Sequence, residues 1–243
     1  MKNKIKNTNP DLLIVGAGPV GCVIAERAAK IKKWKTLIIE KRDHIAGNCY
    51  DEYNSKGVLI HKYGPHYMRF KKKKIFNYVS KFTKWINGNY IVKSYINGKL
   101  YPIPINLTTL EKFFKKKFHK KKDVQNFLNK IRIKKKKINN SEDFILSKLG
   151  REIYENFYKN YTIKQWGIHP KKLDKSIVGR LHIRFNRNPY YLNEKLKKKK
   201  KKGYTNLFSK MISNPNIEVA LKTSYGDVAK KIQPKKAIVY TGP

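Results

Sequence analysis

The feature that most constrains this chain is a glycine-rich turn between a short apolar run and an alanine-rich segment. Leu12 to Val15 are apolar, and the glycines that follow have the spacing Gly16-x-Gly18-x-x-Gly21. Gly16 permits a tight turn, Gly18 lets the backbone approach a pyrophosphate, and Gly21 lets a helix pack closely against a strand. The pattern predicts a strand, a turn and a helix whose N-terminal amides bind phosphate.

A carboxylate follows at the spacing typical of a ribose-binding acid. A second apolar run, Thr36 to Ile39, leads to Glu40, nineteen residues after Gly21. An acid at the end of the second strand is placed to accept hydrogen bonds from a ribose diol. Strand, glycine triplet, helix, second strand and acid in this order predict a Rossmann-type dinucleotide-binding domain of the α/β class.

The same N-terminal stretch has an alternative interpretation as a signal peptide. Lys2, Lys4 and Lys6 precede the apolar segment from Leu12 to Ala25. Pro10-Asp11 and three glycines interrupt this stretch and no convincing cleavage site follows, so we favour the dinucleotide interpretation. No other window approaches the roughly 18 apolar residues that a membrane span needs. We therefore expect a cytoplasmic protein without a membrane span.

The charge balance of the chain is extreme. Lysine and arginine number 57 against 16 aspartate and glutamate, which gives a formal net charge of +41. Such a balance suits nucleic acid, an anionic membrane surface or an acidic substrate. The excess lies in runs of nearly pure lysine, whereas nucleic-acid readers mix arginine with aromatic residues. We interpret the runs as solvated faces and expect no specific nucleic-acid partner.

Turn residues mark further strand-forming segments. Asn97-Gly98, the strongest hairpin dipeptide, joins the runs 90–96 and 99–105 and predicts a β-hairpin. Towards the C-terminus, Ile217 to Leu221 and Ala237 to Tyr240 have the apolar, β-branched composition of strands.

The segment from Asn106 to about Gly167 has helical spacing with interruptions. Thr108, with Glu111 three residues later, has the form of a capping box, and Ser141 is expected to cap a second helix. The segment therefore predicts a mostly helical insertion.

Aromatic side chains are dense near the end of this helical segment. Phe157, Tyr161 and Trp166 lie four and five residues apart, which places them near one helical face. Spacing alone favours a position in the core and leaves open a stacking wall for a base.

Histidines and arginines are candidate ligands for metals or anions. His61 and His66 flank a Gly-Pro turn, but without cysteine or carboxylate partners they make a poor metal site, and no metal is expected. Three arginines follow the aromatic segment at intervals of four and three, which suits either a phosphate-binding helical face or surface charge. These are Arg180, Arg184 and Arg187.

Several segments resemble the UDP-galactopyranose mutase family in order and spacing. The most specific are His61-Lys62-Tyr63-Gly64-x-His66 and Tyr161-Thr162-x-Lys164-Gln165-Trp166-Gly167. The others are the Val15 to Gly21 loop, Ile39-Glu40-Lys41-Arg42-x-His44-Ile45, Gly47-Asn48, Arg180-x-x-x-Arg184-Phe185, Gly203-Tyr204-Thr205 and Tyr240-Thr241-Gly242-Pro243. The resemblance extends over essentially the whole chain but only about the N-terminal two-thirds of the family's length, so the family's C-terminal part is expected to be missing.

The resemblance implies a Rossmann-type FAD-binding domain with an inserted helical bundle and a sheet-rich third region. It divides the chain into residues 1–80 as the first part of the FAD-binding domain, 81–106 as a sheet region, 107–190 as a helical substrate-binding insertion, and 191–243 as a truncated return to the FAD-binding and sheet region. A homodimer is compatible with it.

The resemblance also implies FAD, reduced for activity, as the cofactor. Glu40 would bind the adenosine ribose, and the segment from His61 to His66 would lie along the flavin. The implied cofactor contacts are Gly16, Ala17, Gly18, Pro19, Val20, Glu40, Lys41, Gly47, Asn48, His61, Tyr63, Gly64, His66, Val219, Thr241 and Gly242.

The implied substrate is UDP-galactose, which the family interconverts between its pyranose and furanose forms. In this chemistry N5 of the reduced flavin attacks the anomeric carbon and expels UDP, without net redox change. The implied substrate contacts are Phe157, Tyr161, Trp166, Arg180 and Tyr191, and the implied catalytic residues are Arg180 and His66.

Departures from the family pattern keep two alternatives open. Ala46 stands where the family usually has glycine, and Lys197 to Lys202 replace an apolar stretch. With the C-terminal part missing as well, we expect the chain by itself to be incomplete as a mutase. The alternatives are an FAD-dependent oxidoreductase of amine-oxidase type, which the Tyr161 to Gly167 segment disfavours, and a non-catalytic polybasic fragment that binds polyanions in a salt-sensitive manner.

Overall fold

The structure is a computed structural model that describes residues 5–87, 90–179, 183–191, 197–200 and 202–242. The chain divides into two compact units. The first comprises Met1–Gly88 and Glu194–Pro243, and the second, Asn89–Asn193, is one continuous segment between them. The α/β class with an inserted helical region is confirmed, whereas the four-part division of the chain stays a prediction.

The strands and helices are numbered in chain order. The described strands are β1 (Leu12–Val15), β2 (Thr36–Ile39), β3 (Asp51–Tyr53), β4 (Leu59–His61), β5 (Met68–Arg69), β6 (Trp85–Asn87), β7 (Val92–Ile96), β8 (Lys99–Ile103), β9 (Lys197–Lys200), β10 (Ile217–Ala220) and β11 (Ala237–Tyr240). The described α-helices are α1 (Pro19–Arg27), α2 (Lys73–Val79), α3 (Leu107–Phe114), α4 (Lys121–Ile131), α5 (Ser141–Ile153), α6 (Asn160–Trp166), α7 (Ser176–Gly179), α8 (Gly203–Met211) and α9 (Tyr225–Val228). The π-helical turns Ala28–Lys32 and Tyr154–Lys159 extend α1 and α5, and the 3-10 turns are Gly47–Cys49 and Pro170–Lys172.

A parallel sheet with the strand order β10-β2-β1-β11 organises the first unit. Leu12 of β1 lies in register with Thr36 of β2 and with Ala237 of β11. Leu13, Ile14 and their neighbours on β2 are completely buried, because side chains pack on both faces of the sheet. Burial on both faces explains why these strands are continuous apolar runs, the pattern from which they were predicted.

A buried carboxylate joins the start of β3 to the N-terminus of α8. Asp51, 3% exposed, accepts hydrogen bonds from the backbone amides of Tyr204 at 2.6 Å and Thr205 at 2.8 Å. The Thr205 hydroxyl donates in turn to the Asp51 carbonyl oxygen at 2.7 Å. The carboxylate thus satisfies amides that lack an intrahelical partner in the first turn of a helix.

The second unit contains the predicted hairpin, but both predicted helix caps are wrong. β7 and β8 pair through Asn97-Gly98, both with positive φ as a tight hairpin turn requires. The caps of α3 and α5 are Asn106 and Asn140, whose side-chain oxygens each accept the amide of the residue three positions later. Asparagine is a better N-cap than threonine, so the cap of α3 is not Thr108. The Ser141 hydroxyl does not cap α5 and donates to a distant carbonyl oxygen.

The lysine runs that the structure describes in full are exposed. They are 71–74, 115–117, 120–122 and 134–137, in agreement with the interpretation as solvated faces. No described helix is both long enough and apolar enough to cross a bilayer.

Close packing in the second unit depends on a glycine within α5. Gly150 has φ +80° and ψ 178°, which interrupts the regular helix. A Cβ atom there would lie 2.5 Å from the carbonyl oxygen of Ile131, at the end of α4. That distance is too short for any side chain, so α4 and α5 meet in this way only because position 150 is glycine.

We expect Gly150→Ala to lower the free energy of unfolding of the second unit by about 3 kcal/mol or more, because it adds a steric clash to backbone strain. Gly167→Ala is the matched control, since Gly167 has φ +70° and a Cβ there would meet nothing within 4 Å. It should cost only about 1 kcal/mol of backbone strain. Urea unfolding measures both, and equal losses would contradict the steric argument.

Candidate functional site

A cavity of about 470 Å³ lies at the carboxyl ends of the parallel strands in the first unit. Its walls come from the glycine-rich turn, the end of β2 and the segments that follow β10 and β11. The lining residues are Val15, Gly16, Gly18, Pro19, Ile39, Glu40, Lys41, Arg42, Gly47, Asn48, Cys49, Thr223, Ser224, Tyr225, Tyr240, Thr241 and Gly242. Open α/β sheets bind ligands at this edge, where neighbouring connections leave in opposite directions.

The three glycines of the turn serve different purposes. Gly16 has φ +109°, and a Cβ at Gly21 would lie 2.0 Å from the Gly16 carbonyl oxygen, so the fold itself requires both glycines. At Gly18 a Cβ would meet only the Cα of Gly47, at 3.9 Å. The fold therefore does not require a glycine at position 18, and a side chain there would occupy space beside the cavity. A glycine at this position leaves room for a ligand to approach the backbone.

Glu40 holds the turn against the end of β2. Its side chain is buried, and its Oε2 accepts the backbone amide of Ala17 at 2.9 Å while Oε1 accepts that of Arg42 at 3.0 Å. Each carboxylate oxygen keeps a second lone pair. The carboxylate lines the cavity in a fixed orientation that suits a pair of ribose hydroxyls.

The N-terminus of α1 lies beside this carboxylate and favours an anion. In the described part of the chain, the N-cap Gly18 makes no side-chain cap and the first turn of α1 contains no acidic residue. The positive end of the helix is thus left for a ligand, and Lys41 and Arg42 add charge to the wall.

Cys22 packs beneath the turn and is not a nucleophile. Burial raises the pKa of its thiol to about 12, so the group is protonated at neutral pH. Its Sγ donates to the carbonyl oxygen of Ala17 at 3.4 Å. A reactive cysteine would need a lowered pKa.

The structure brings together most of the predicted cofactor contacts that surround the glycine turn. Those that line the cavity are Gly16, Gly18, Pro19, Glu40, Lys41, Gly47, Asn48, Thr241 and Gly242. Ala17 is buried behind the wall, Val20 is exposed, and Val219 packs its side chain into the core from the middle of β10. His61, Tyr63, Gly64 and His66 are not among the lining residues.

The histidine turn packs against α8 instead. The Tyr204 ring meets the rings of His61 and His66 edge-on, with centroids 5.7 Å and 6.4 Å apart. His66 Nδ1 lies 2.9 Å from the carbonyl oxygen of Gly64, which can only accept, so this nitrogen carries the proton. The turn therefore directs both imidazoles to one tyrosine, and their place along a flavin stays a prediction.

Sequence reasoning missed the segment after β10. Thr223, Ser224 and Tyr225 line the cavity together with Arg42 and Tyr240. The only sequence signal was their position directly after a predicted strand, and the parallel pairing of β10 with β2 brings that strand end to the site.

In the second unit, the aromatic residues do not share one face, so that prediction is wrong. Phe157 is buried against the rings of Tyr101 and Phe113, at 5.5 Å and 5.2 Å. Tyr161 and Trp166 are 57% and 43% exposed. The π-helical turn before α6 has a wider period than an α-helix, which separates Phe157 from the other two.

Of the two alternatives left open for the arginines, a shared helical face or surface charge, the helical face does not occur where the structure describes them. Neither Arg184 nor Arg187 lies in a helix. Arg184 donates to the carbonyl oxygens of Tyr190 and, at 3.1 Å, Tyr191, which orders the following loop. Arg187 pairs with Glu111, in the middle of α3, at 2.7 Å. Arg180 lies outside the described residues, and Tyr191 is half-buried.

We expect Gly18→Val to lose dinucleotide binding with little change in the urea midpoint, because the side chain fills the ligand's space and its Cβ would meet only the Cα of Gly47, at 3.9 Å. Gly21→Val should fail to fold, since its side chain would collide with the backbone of the turn. Absorbance or fluorescence of a retained cofactor measures binding. A Gly18→Val protein that keeps its cofactor would contradict the assignment of the site.

Comparison with known proteins agrees with this geometry. The profile of a family described as UDP-galactopyranose mutase matches residues 156–243, and that of an NAD(P)-binding Rossmann-like domain matches residues 14–82. The chain is 34% identical over 236 residues to a probable UDP-galactopyranose mutase of Klebsiella pneumoniae, covering 97% of this chain and 61% of that protein. It is 33% identical to a dTDP-fucopyranose mutase of Escherichia coli, covering 86% and 56%.

A crystal structure of reduced UDP-galactopyranose mutase has the same fold. Its TM-score is 0.60 at 16% identity, covering 87% of this chain and 48% of that one. The chain spans about three-fifths of the length of the Klebsiella relative, and a smaller share of the Escherichia coli protein and of the crystallised mutase. The glycine turn with its acid, the profile over residues 156–243 and the match along nearly the whole chain agree with one another, and the chain is similar to the UDP-galactopyranose mutase family over nearly its whole length.

Proposed function

We propose that this chain carries the FAD-binding and uridine-binding parts of a UDP-galactopyranose mutase, which interconverts UDP-galactopyranose and UDP-galactofuranose. The observation that carries the proposal is the exposed pair Tyr161 and Trp166, because it lies within the segment that the mutase profile matches. A dinucleotide cavity alone would suit many flavoproteins, including an amine-oxidase type.

FAD fits the residues of the cavity. The space beside Gly18 and the N-terminus of α1 suit the pyrophosphate, and the Glu40 carboxylate suits the adenosine ribose. When bound and reduced, the flavin supplies the nucleophile for the anomeric carbon. The task of the chain is to hold the cofactor and the nucleotide sugar and to stabilise charge on the leaving diphosphate.

Tyr161 and Trp166 support a nucleobase contact. Both rings are exposed, and bases stack on exposed rings with a gain of about 1–3 kcal/mol each. We assign the uracil to this pair. Phe157 supports their segment from the core.

The remaining assignments rest on the resemblance. Arg180 contacts the diphosphate, Tyr191 contacts the substrate, and His66 lies beside the flavin. An arginine at the diphosphate stabilises the negative charge that develops as UDP leaves.

A thymidine diphosphate sugar is the second candidate substrate. The dTDP-fucopyranose mutase relative is 33% identical to this chain, almost as similar as the Klebsiella protein at 34%. The two nucleotides differ in the base methyl group and the ribose 2′-hydroxyl. Competition between UDP and dTDP for the purified chain discriminates between them.

Absorbance of the purified chain is the first test. We expect a flavin spectrum, saturable binding of UDP that persists at 0.3 M salt, on the order of twice physiological ionic strength, and, after dithionite reduction, conversion of UDP-galactofuranose to UDP-galactopyranose. Binding of both ligands without conversion would restrict the proposal to cofactor and nucleotide binding. Absence of flavin, or nucleotide binding that disappears in salt, would favour the polybasic alternative.

Replacement of Trp166 tests the uracil assignment. We expect Trp166→Ala to weaken UDP binding about tenfold, because one stacking surface is lost, and to leave FAD binding unchanged. Tyr95→Ala, on the hairpin and 73% exposed, is the control and should change neither. Titration calorimetry measures both affinities, and unchanged UDP affinity would exclude Trp166 from the site.

A further inference from the structure

A stack of side chains lies behind one wall of the cavity in the first unit. Arg42 lines the cavity, and its guanidinium carbon lies 4.6 Å from the centroid of the Tyr63 ring. Its Nη1 donates to Asn48 Oδ1 at 3.0 Å, and Asn48 also lines the cavity. The guanidinium is thus held between the ring of Tyr63 and a second residue of the wall.

Tyr63 is itself held by a buried histidine. The Tyr63 hydroxyl lies 2.8 Å from His44 Nε2, and His44 Nδ1 lies 2.9 Å from the carbonyl oxygen of Ile45. The carbonyl only accepts, so Nδ1 carries a proton, and Nε2 pairs with the tyrosine hydroxyl. His44 is 7% exposed and stacks on Tyr50, with centroids 3.9 Å apart and an interplanar angle of 20°. The His44 ring is therefore held at both nitrogens and on one face.

We propose that His44 and Tyr63 are positioning residues that act on the bound dinucleotide through Arg42. The inference rests on the proposed function because it takes the cavity as the cofactor site. Neither His44 nor Tyr63 lines that cavity, whereas Arg42 does. In this proposal Tyr63 acts indirectly, in place of the direct cofactor contact that the resemblance implied.

The physical reason is preorganisation of a long cationic side chain. A free arginine loses conformational entropy when it contacts an anionic ligand, and one that is already held loses less. The Tyr63 ring supplies a cation–π contact and Asn48 a hydrogen bond, which together fix the guanidinium at the cavity wall. His44 keeps the ring at the angle that this contact requires.

A double-mutant cycle tests the proposal on the full chain, with the Kd for FAD measured by quenching of flavin fluorescence. We expect Tyr63→Leu to weaken FAD binding about two- to tenfold, the range of a single cation–π contact. Arg42→Ala should weaken it at least as much. In the Arg42→Ala background, Tyr63→Leu should have no further effect, because Tyr63 acts only through the arginine.

Conservative and control variants separate positioning from loss of structure. Tyr63→Phe keeps a ring beneath Arg42 but removes the hydroxyl that contacts His44. It should therefore restore only part of the affinity that Tyr63→Leu loses, and the part that stays lost measures the contribution of His44. Tyr53→Leu, on β3 and 62% exposed, should leave the Kd unchanged. Equal apo-protein unfolding midpoints in Tyr63→Leu and Tyr63→Phe, which both lose the hydroxyl that contacts His44, complete the comparison.

Two results would overturn the inference while the proposed function stands: a Tyr63→Leu chain that binds FAD as tightly as the unchanged chain, or a Tyr63→Leu effect of full size in the Arg42→Ala background. An unchanged chain that binds no FAD would overturn both proposals. The cycle thus distinguishes failure of the positioning stack from failure of the cofactor assignment.

Discussion

The buried carboxylate of Glu40 ties the glycine turn to the sheet, and the shape of the candidate site depends on it. It accepts the amides of Ala17 and Arg42, while the Glu40 backbone donates to the Ala220 carbonyl and accepts from the Thr223 amide, both at 2.9 Å. One residue therefore connects β1, β2 and β10 where their carboxyl ends meet. Hydrogen bonds to a charged group stabilise a fold by about 1.5–3 kcal/mol each. A ribose diol would meet a carboxylate that the protein has already oriented.

Other buried carboxylates in this basic chain also accept hydrogen bonds that hold the fold together. Only 16 acidic residues accompany 57 basic ones, and among the residues that the structure describes three acids are buried: Glu26, Glu40 and Asp51. Glu40 and Asp51 accept backbone amides, whereas Glu26 accepts from Arg27 and from the Tyr78 hydroxyl. The described lysine runs remain in solvent. Buried carboxylates thus shape the fold, while the lysine excess sets the electrostatic field around it.

Local signals predicted the elements that depend on neighbouring residues. The turn at Gly16, the hairpin at Asn97-Gly98 and the strand 237–240 follow from residue type and spacing. Predictions failed where two neighbouring residues could each cap the same helix, and where a π-helical turn interrupts the α-helical period. Asn106, not Thr108, is the N-cap of α3. A π-helical turn separates Phe157 from the exposed aromatic pair.

The sequence by itself determined the dinucleotide fold and the resemblance to the mutase family, because the glycine triplet, the spaced acid and the aromatic segment are local patterns. Only the tertiary structure decided which glycine leaves space for a ligand and which glycines the fold itself requires. The distinction depends on whether a Cβ at Gly18 or Gly21 would meet backbone atoms. The tertiary structure also brought Thr223 to the cavity and placed Tyr63 behind Arg42. These relations join residues far apart in the chain, and parallel strand pairing, which carries no local signal, brings them together.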